Sequence, residues 1–211
     1  MGVDMKQRKD RLTDFIVMCV GNLLIGVGIA LFTASRMGND PSSALVLSLT
    51  EYAVFSYSVM QIFVNSVYFC FQFFFGRKYI GIGTILNWFF VGIIAEKSLT
   101  YLYSYQEYLA FFGVRLMVMI LGVLILSLGA SLYQTADMGI SPYDSLSIMM
   151  ADRLPLPYFW CRILTDSTCS VVAFLCRGPI GLGTLLCAVG LGPFIHFFDE
   201  HISKKLCSNH K

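Results

Sequence analysis

A chain of 211 residues that is 56% hydrophobic and 13% charged, with a mean hydropathy of +0.69, carries about half the charge of a soluble domain. Its formal net charge of +2 supplies no basic stripe for nucleic acid, and the composition excludes a disordered chain and a secreted disulfide scaffold. Apolar runs of near-membrane length recur along the whole chain, and eighteen Phe and eleven Tyr suit lipid-facing and interfacial positions.

In chain order, a basic opening over residues 1–14 holds Lys6, Arg8, Lys9 and Arg11 and leads into the apolar run 15–34. That run exceeds the about 7–15 residues of a signal-peptide core, so it reads as a retained first span. Further runs lie at 56–75, 82–95, 111–135, 158–176 and 182–198. The third and sixth reach spanning length only with their flanks. The expectation is an all-α polytopic membrane protein of six transmembrane helices. Two more apolar segments, 42–55 and 143–154, open on Pro41 and Pro142 and each follow Met-Gly. At about 1.5 Å per residue they reach roughly 18–21 Å, short of an apolar bilayer core of about 30 Å. Proline suits a first helical position. They read as half-helices that enter the membrane and turn back under cover of protein, or else as helices lying on its surface.

Sliding the chain by 101 residues sets Gly21, Gly28, Leu31, Met37, Gly38, Pro41 and Leu45 on Gly122, Gly129, Leu132, Met138, Gly139, Pro142 and Leu146. After a one-residue slip, Gly81-Ile82-Gly83-Thr84 meets Gly181-Leu182-Gly183-Thr184. Apolar matches come cheaply in such a chain, whereas Met-Gly-x-x-Pro and Gly-x-Gly-Thr matched in order do not. The reading is an internal repeat, 15–102 and 110–202, each copy with three spans and one half-helix, ahead of a tail at 203–211. Three crossings per copy is an odd number, so the second copy enters from the opposite side. With both termini inside, the inner segments hold Lys6, Arg8, Lys9, Arg11, Arg77, Lys78, Arg153, Lys204, Lys205 and Lys211. The outer ones hold only Arg36, Lys97, Arg115 and Arg177, a positive-inside bias.

Arg162 and Asp166 stand four residues apart on one face of the fifth span, and the repeat puts Gln61 and Asn65 at the equivalent places. Charge at membrane depth is costly, so such residues face a cavity or a partner. A functional site and a self-neutralising structural pair both fit. The second candidate group is the two turns, Asn39, Asp40 and Pro41 in one copy and Ser141, Pro142, Tyr143, Asp144 and Ser145 in the other. Free N–H groups at a helix start attract anions, but Asp40 and Asp144 are also residues that cap such helices. Gly21, Gly28, Gly122 and Gly129 read as close helix packing. The seven cysteines form no C-x-x-C pair and read as packing, and His196, Asp199 and Glu200 as a polar cluster at the inner end of the sixth span rather than a metal site. No nucleotide-binding or hydrolase motif occurs, so no cofactor and no enzymatic activity is expected.

The run Met138-Gly139-Ile140-Ser141-Pro142-Tyr143-Asp144-Ser145-Leu146, followed by Gly181-Leu182-Gly183-Thr184, resembles the YczE/YyaS/YitT family of bacterial integral membrane proteins. Many of its members carry Gly-Pro-Trp-Asp where this chain has Ser141-Pro142-Tyr143-Asp144. The first copy, Asn39-Asp40-Pro41-Ser42-Ser43, lacks the aromatic-acid pair, so no role transfers there. The resemblance implies a multi-pass protein of the bacterial cytoplasmic membrane and little about activity. Repeats of opposite sense with paired half-helices point to a secondary transporter or permease for a small solute, with its site where the repeats meet. The alternative is a non-transporting regulatory or assembly partner of another membrane complex. The expected partners are the lipid bilayer and a small-molecule solute, not nucleic acid, and a homo-oligomer is compatible with either reading.

Overall fold

The computed structural model describes residues 2–105 and 107–207; the end of the tail, with Lys211, lies outside them. Among the described residues the regular structure is helical, with turns between: α1 (Gly2–Ser35), α2 (Pro41–Thr50), α3 (Tyr57–Phe75), α4 (Ile82–Tyr103), α5 (Phe112–Thr135), α6 (Pro142–Arg153), α7 (Tyr158–Leu175) and α8 (Leu182–Phe198). A π-helical turn, Asp199–Ser203, and the short helix Lys204–Leu206 continue α8.

Burial departs from that of a soluble protein in two ways. Asn22, Gln61, Asn65, Gln72, Asn87 and Asp166 are buried, while Phe63, Phe74, Met117, Phe174, Leu175 and Leu185 are exposed. An outer surface of large apolar side chains around buried amides and carboxylates suits a lipid environment. Residues Arg11–Ser35 of α1, together with α3, α4 and α5, are long and apolar enough to cross a membrane. The arms Leu182–Ala188 and Gly190–Leu206 pass the same measure as a bent pair, inclined by 55°. Pro193 inside α8 accounts for the bend, since a proline in a helix interior removes a backbone hydrogen bond and crowds the preceding turn. The six expected spans therefore stand as four helices, or five with the bent one. The remaining span, α7, falls outside because Arg162, Asp166 and its Ser and Thr residues dilute its apolar run. Among the expected short spans, the third gains length, since α4 runs on to Tyr103.

The two halves make the same contacts crosswise. Gly183 N–H donates to the Met37 carbonyl at 2.8 Å, and Gly83 N–H to the Met138 carbonyl, also at 2.8 Å. Gly38 and Gly139, with φ of +110° and +111°, make the left-handed turns that present those carbonyls, a conformation L side chains rarely adopt. The Gly-x-Gly-Thr runs start α4 and α8. Thr84 Oγ accepts from Gly81 N–H at 3.1 Å, and Thr184 Oγ from Gly181 N–H at 3.2 Å, closing both helix starts alike.

At the centre α1 crosses α5 at the four repeated glycines. A methyl group on Gly129 would lie 2.7 Å from the Gly21 carbonyl oxygen, and one on Gly28 2.8 Å from the Leu126 backbone. Backbones meet there, as small residues in membrane helices allow. Ile25, Ile29, Phe32, Met119, Val123, Leu126 and Tyr133 fill the core beside the crossing. Helix α2 packs on α7 and α3, and α6 on α3 and α7. No residue of α2 is exposed, nor any of α6 before Asp152, so neither helix has the solvated face of a surface helix. α2 ends at Thr50, earlier than the apolar pattern suggests.

Candidate functional site

Helix starts and a half-buried arginine meet where the halves join. Pro41 and Pro142 are the first residues of α2 and α6, and the residues before them take the caps. Asp40 Oδ2 accepts from Ser43 N–H at 3.0 Å. At the start of α6 the cap is Ser141, whose hydroxyl oxygen accepts from Asp144 N–H at 3.1 Å. The expectation that both aspartates could cap thus holds for Asp40 alone. Asp144 sits a turn further on, where its carboxylate is released to face α7.

There Asp144 pairs with Arg162, and the Tyr133 hydroxyl and Ser141 Oγ both donate to it, the latter at 2.8 Å. Arg162 Nε reaches Asp166 at 3.2 Å, as the spacing of four predicts. The Tyr143 hydroxyl donates to Asp166, and the guanidinium lies 4.9 Å from the centre of the Tyr143 ring. One arginine thus holds two carboxylates from two helices, so the expected pair is one part of a triad with formal charge −1. Side-chain exposures of 18% for Arg162, 14% for Asp144 and 4% for Asp166 leave little solvent to screen it.

A cavity of about 80 Å³ lies at this junction. Asp40, Ser42, Ser43, Gln61, Asn65 and Asn87 line it from the first half, and Gln134, Ser141, Tyr143, Asp144 and Arg162 from the second. Seven expected site residues therefore line one cavity: Asp40, Gln61, Asn65, Ser141, Tyr143, Asp144 and Arg162. Three buried polar atoms of these lining residues have no hydrogen-bond partner: Asp40 Oδ1, Gln61 Oε1 and Asn65 Nδ2. A second cavity, of about 600 Å³ between α5, α7 and α8, reaches Arg162 and Asp166 from the end that holds Thr135, His196 and Asp199. Gln134, Arg162, Leu191 and Ile195 line both.

The other candidates serve the frame. Asn39 N–H donates to Thr184 Oγ1 at 3.2 Å and its side-chain amide to Thr33 Oγ1 at 2.8 Å, tying the turn before α2 to α8. Ser145 Oγ donates to the Pro142 carbonyl at 2.7 Å, and neither it nor Pro41 nor Pro142 lines either cavity. His196 and Glu200 approach at 3.9 Å while Asp199 pairs with Lys204 at 2.8 Å. Among the described residues, no three His, Cys, Asp or Glu side chains are grouped to hold a metal ion. Cys161, Cys169, Cys187 and Cys207 are buried, Cys70 is exposed on α3, and the described cysteines are free thiols. The sequence reading missed Tyr133, Asn87 and Gln134. Asn87 was detectable as an amide inside an apolar run, where its Nδ2 donates to Asn22 Oδ1 at 2.8 Å.

The chain is similar to two proteins of Bacillus subtilis. It is 24% identical to "Uncharacterized protein YyaS" over 91% of this chain and 95% of that one. It is 25% identical to "Uncharacterized membrane protein YczE" over 84% of this chain and 81% of that one. A Haemophilus influenzae protein is 29% identical over 59% of this chain and 56% of its own length. No solved structure matches. With apolar helices of spanning length, a membrane protein among its relatives and a family match over residues 12–200, the chain is an integral membrane protein belonging to DUF6198, a family of unknown function, and is related to YczE and YyaS.

Proposed function

We propose that this protein is a secondary transporter or permease of the bacterial cytoplasmic membrane, with its solute site at Arg162 where two inverted repeats meet. Each repeat contributes three spans and one re-entrant half-helix, and both termini are cytoplasmic. One observation carries the reading: a cavity of about 600 Å³, enough for a small organic solute, ends on a buried arginine at the junction of two crosswise-docked halves. Buried ionisable groups in membrane segments mark pathways and relays, and broken helices at a repeat interface are a recurring transporter design. The crosswise pairing of Met37 with Gly183 and Met138 with Gly83 supports a two-fold relation between the halves. The cover over α2, and over α6 as far as Ala151, supports re-entrance, since backbone that turns back at membrane depth needs protein around it.

In this reading Arg162 is a switchable anchor. An anionic group of the solute displaces Asp144 or Asp166 from it, and the freed carboxylate takes a proton or a cation, so that the site changes occupant without a change in buried charge. Proteoliposomes loaded with a mixed metabolite pool test the function. Exchange of at least one component above protein-free vesicles, lost in Arg162→Lys, is the expected result. No exchange of any component, by protein whose monodispersity and orientation are verified, refutes it.

A further inference from the structure

The small cavity on the first-half side has a chemistry of its own. We propose that it is a binding site for one largely dehydrated monovalent alkali cation, held by the free oxygens of Asp40 and Gln61. Volume sets the scale. About 80 Å³ accommodates two or three bodies of water size at about 30 Å³ each, well under the about 300 Å³ at which sites for organic ligands begin. A metabolite does not fit there, whereas an ion with one or two waters does.

Charge selects the sign. Three carboxylates, Asp40, Asp144 and Asp166, are gathered at the junction with the one guanidinium of Arg162. Arg162 is taken by Asp144 and Asp166, and among the described residues no cationic side chain pairs with Asp40. Asp40 is nonetheless only 9% exposed, and its Oδ1 has no partner. Gln61, at 7% exposure and lining the same cavity, likewise leaves Oε1 unpartnered. Water satisfies an amide oxygen but leaves a buried carboxylate without a counter-charge.

The donors select the class. Carboxylate and amide oxygens are hard ligands suited to hard cations, and the hydroxyls of Ser42 and Ser43 line the same space. A divalent ion fits poorly: magnesium dehydrates reluctantly and calcium takes about six to eight oxygens, while one unpaired carboxylate faces this cavity. The cation's role as driving ion rests on the transport reading; its binding does not.

Thermal unfolding of the detergent-solubilised full chain tests the site. Chlorides of lithium, sodium, potassium and choline are compared at fixed ionic strength across several pH values, alongside calorimetric titration with the alkali salts. One alkali ion is expected to raise the melting temperature saturably over choline. Asp40→Asn keeps the α2 cap, because an asparagine oxygen still accepts from Ser43 N–H, and removes only the charge. It is expected to weaken the ion's half-effect concentration by about tenfold or more, equivalent to about 1.4 kcal/mol. Gln61→Ala is expected to do the same, so misfolding of one variant leaves the other decisive, and Glu107→Gln in an exposed loop is expected to match the wild type. Identical wild-type curves in all four salts refute the proposal and leave a water-filled cavity. Stabilisation that follows pH alone refutes it in favour of a proton, and an undiminished response in both variants moves the ion elsewhere. Ion binding without any solute flux leaves this site standing and removes the transport reading.

Discussion

Removing the Arg162 guanidinium isolates two carboxylates at once, and that distinguishes a triad from a pair. Arg162→Leu leaves Asp144 and Asp166 buried with only tyrosine and serine hydroxyls as donors. Breaking a buried ion pair by deleting one partner costs about 3–5 kcal/mol, because the surviving charge keeps its desolvation penalty. At side-chain exposures of 14% and 4%, neither carboxylate recovers much from solvent. For a chain of this size about 2–4 °C of melting temperature accompanies each kcal/mol, so the drop is about 6–20 °C. Asp166→Asn, by contrast, leaves Arg162 with Asp144, a balanced pair, and stays near the wild type. The double variant Arg162→Leu with Asp166→Leu still strands Asp144 and is not rescued. Rescue needs the third change, Asp144→Asn. Fluorescence-detected size exclusion after heating, on equal amounts of inserted protein, reads the series. A double variant as stable as the triple one refutes the reasoning, since Asp144 then does not depend on Arg162. A folded triple variant without flux assigns the triad to the site, and one with full flux assigns it to the scaffold.

Other outcomes are as definite. Gly129→Ala brings a methyl group to 2.7 Å from the Gly21 carbonyl oxygen and is expected to cost about 1–3 kcal/mol, whereas Gly113→Ala, with nothing within 4 Å, leaves the melting temperature unchanged or higher. On a cysteine-free background, an impermeant maleimide added outside is expected to label Ser104→Cys but not Lys78→Cys or Lys205→Cys; labelling of Lys78→Cys overturns the proposed topology. Pro193→Ala is expected to straighten α8 and narrow the large cavity, read as slower labelling of Ser131→Cys inside it. The Lys78 ammonium and the Tyr79 hydroxyl hold the Asp152 carboxyl below the usual aspartate range, while Asp152 and then Tyr79 push the Lys78 ammonium up. A lowered carboxyl contributes stability above its ordinary value of about 3.9 and loses it as pH falls through the lowered one; a raised amine contributes below about 10.4 and loses it as pH rises through the raised one. The difference in melting temperature between wild type and Asp152→Asn is therefore expected to vanish at both extremes and to shrink in high salt.

The membrane class and the helical segments were legible because apolar runs are long and charge is scarce. The matched turns were legible because Met-Gly-x-x-Pro and Gly-x-Gly-Thr are demanding patterns, each glycine fixed by a left-handed turn or a close backbone approach. The Arg162–Asp166 contact was legible as a spacing of four. The third member was not, because helical periodicity relates residues on one helix and Asp144 comes from another. Tyr133 was hidden for a different reason: in an apolar run an aromatic side chain reads as packing, and only the fold brings its hydroxyl to Asp144. The length of α4 was underestimated because Glu96, Lys97, Ser98 and Thr100 end the apolar pattern without ending the helix. Pro193 was visible in the sequence, yet only the fold shows how the bent helix still meets α5, through Ser203 on Ser131 and Asp199 on Thr135.

The crosswise docking of the two turns has a consequence for the order of biosynthesis. The Met37 carbonyl and the Asn39 N–H find their partners in Gly183 and Thr184, and the latter stands 145 residues later in the chain. At about 5–20 residues per second the ribosome takes about 7–29 s to deliver that partner. During that interval the first half sits in or beside the bilayer with its turn incomplete and Asp40, Gln61 and Asn65 uncovered. Such a half is expected to depend on the other for its fold rather than to fold independently. Severed between Ser104 and Phe111, the two halves expressed singly should be degraded, and expressed together they should rescue each other.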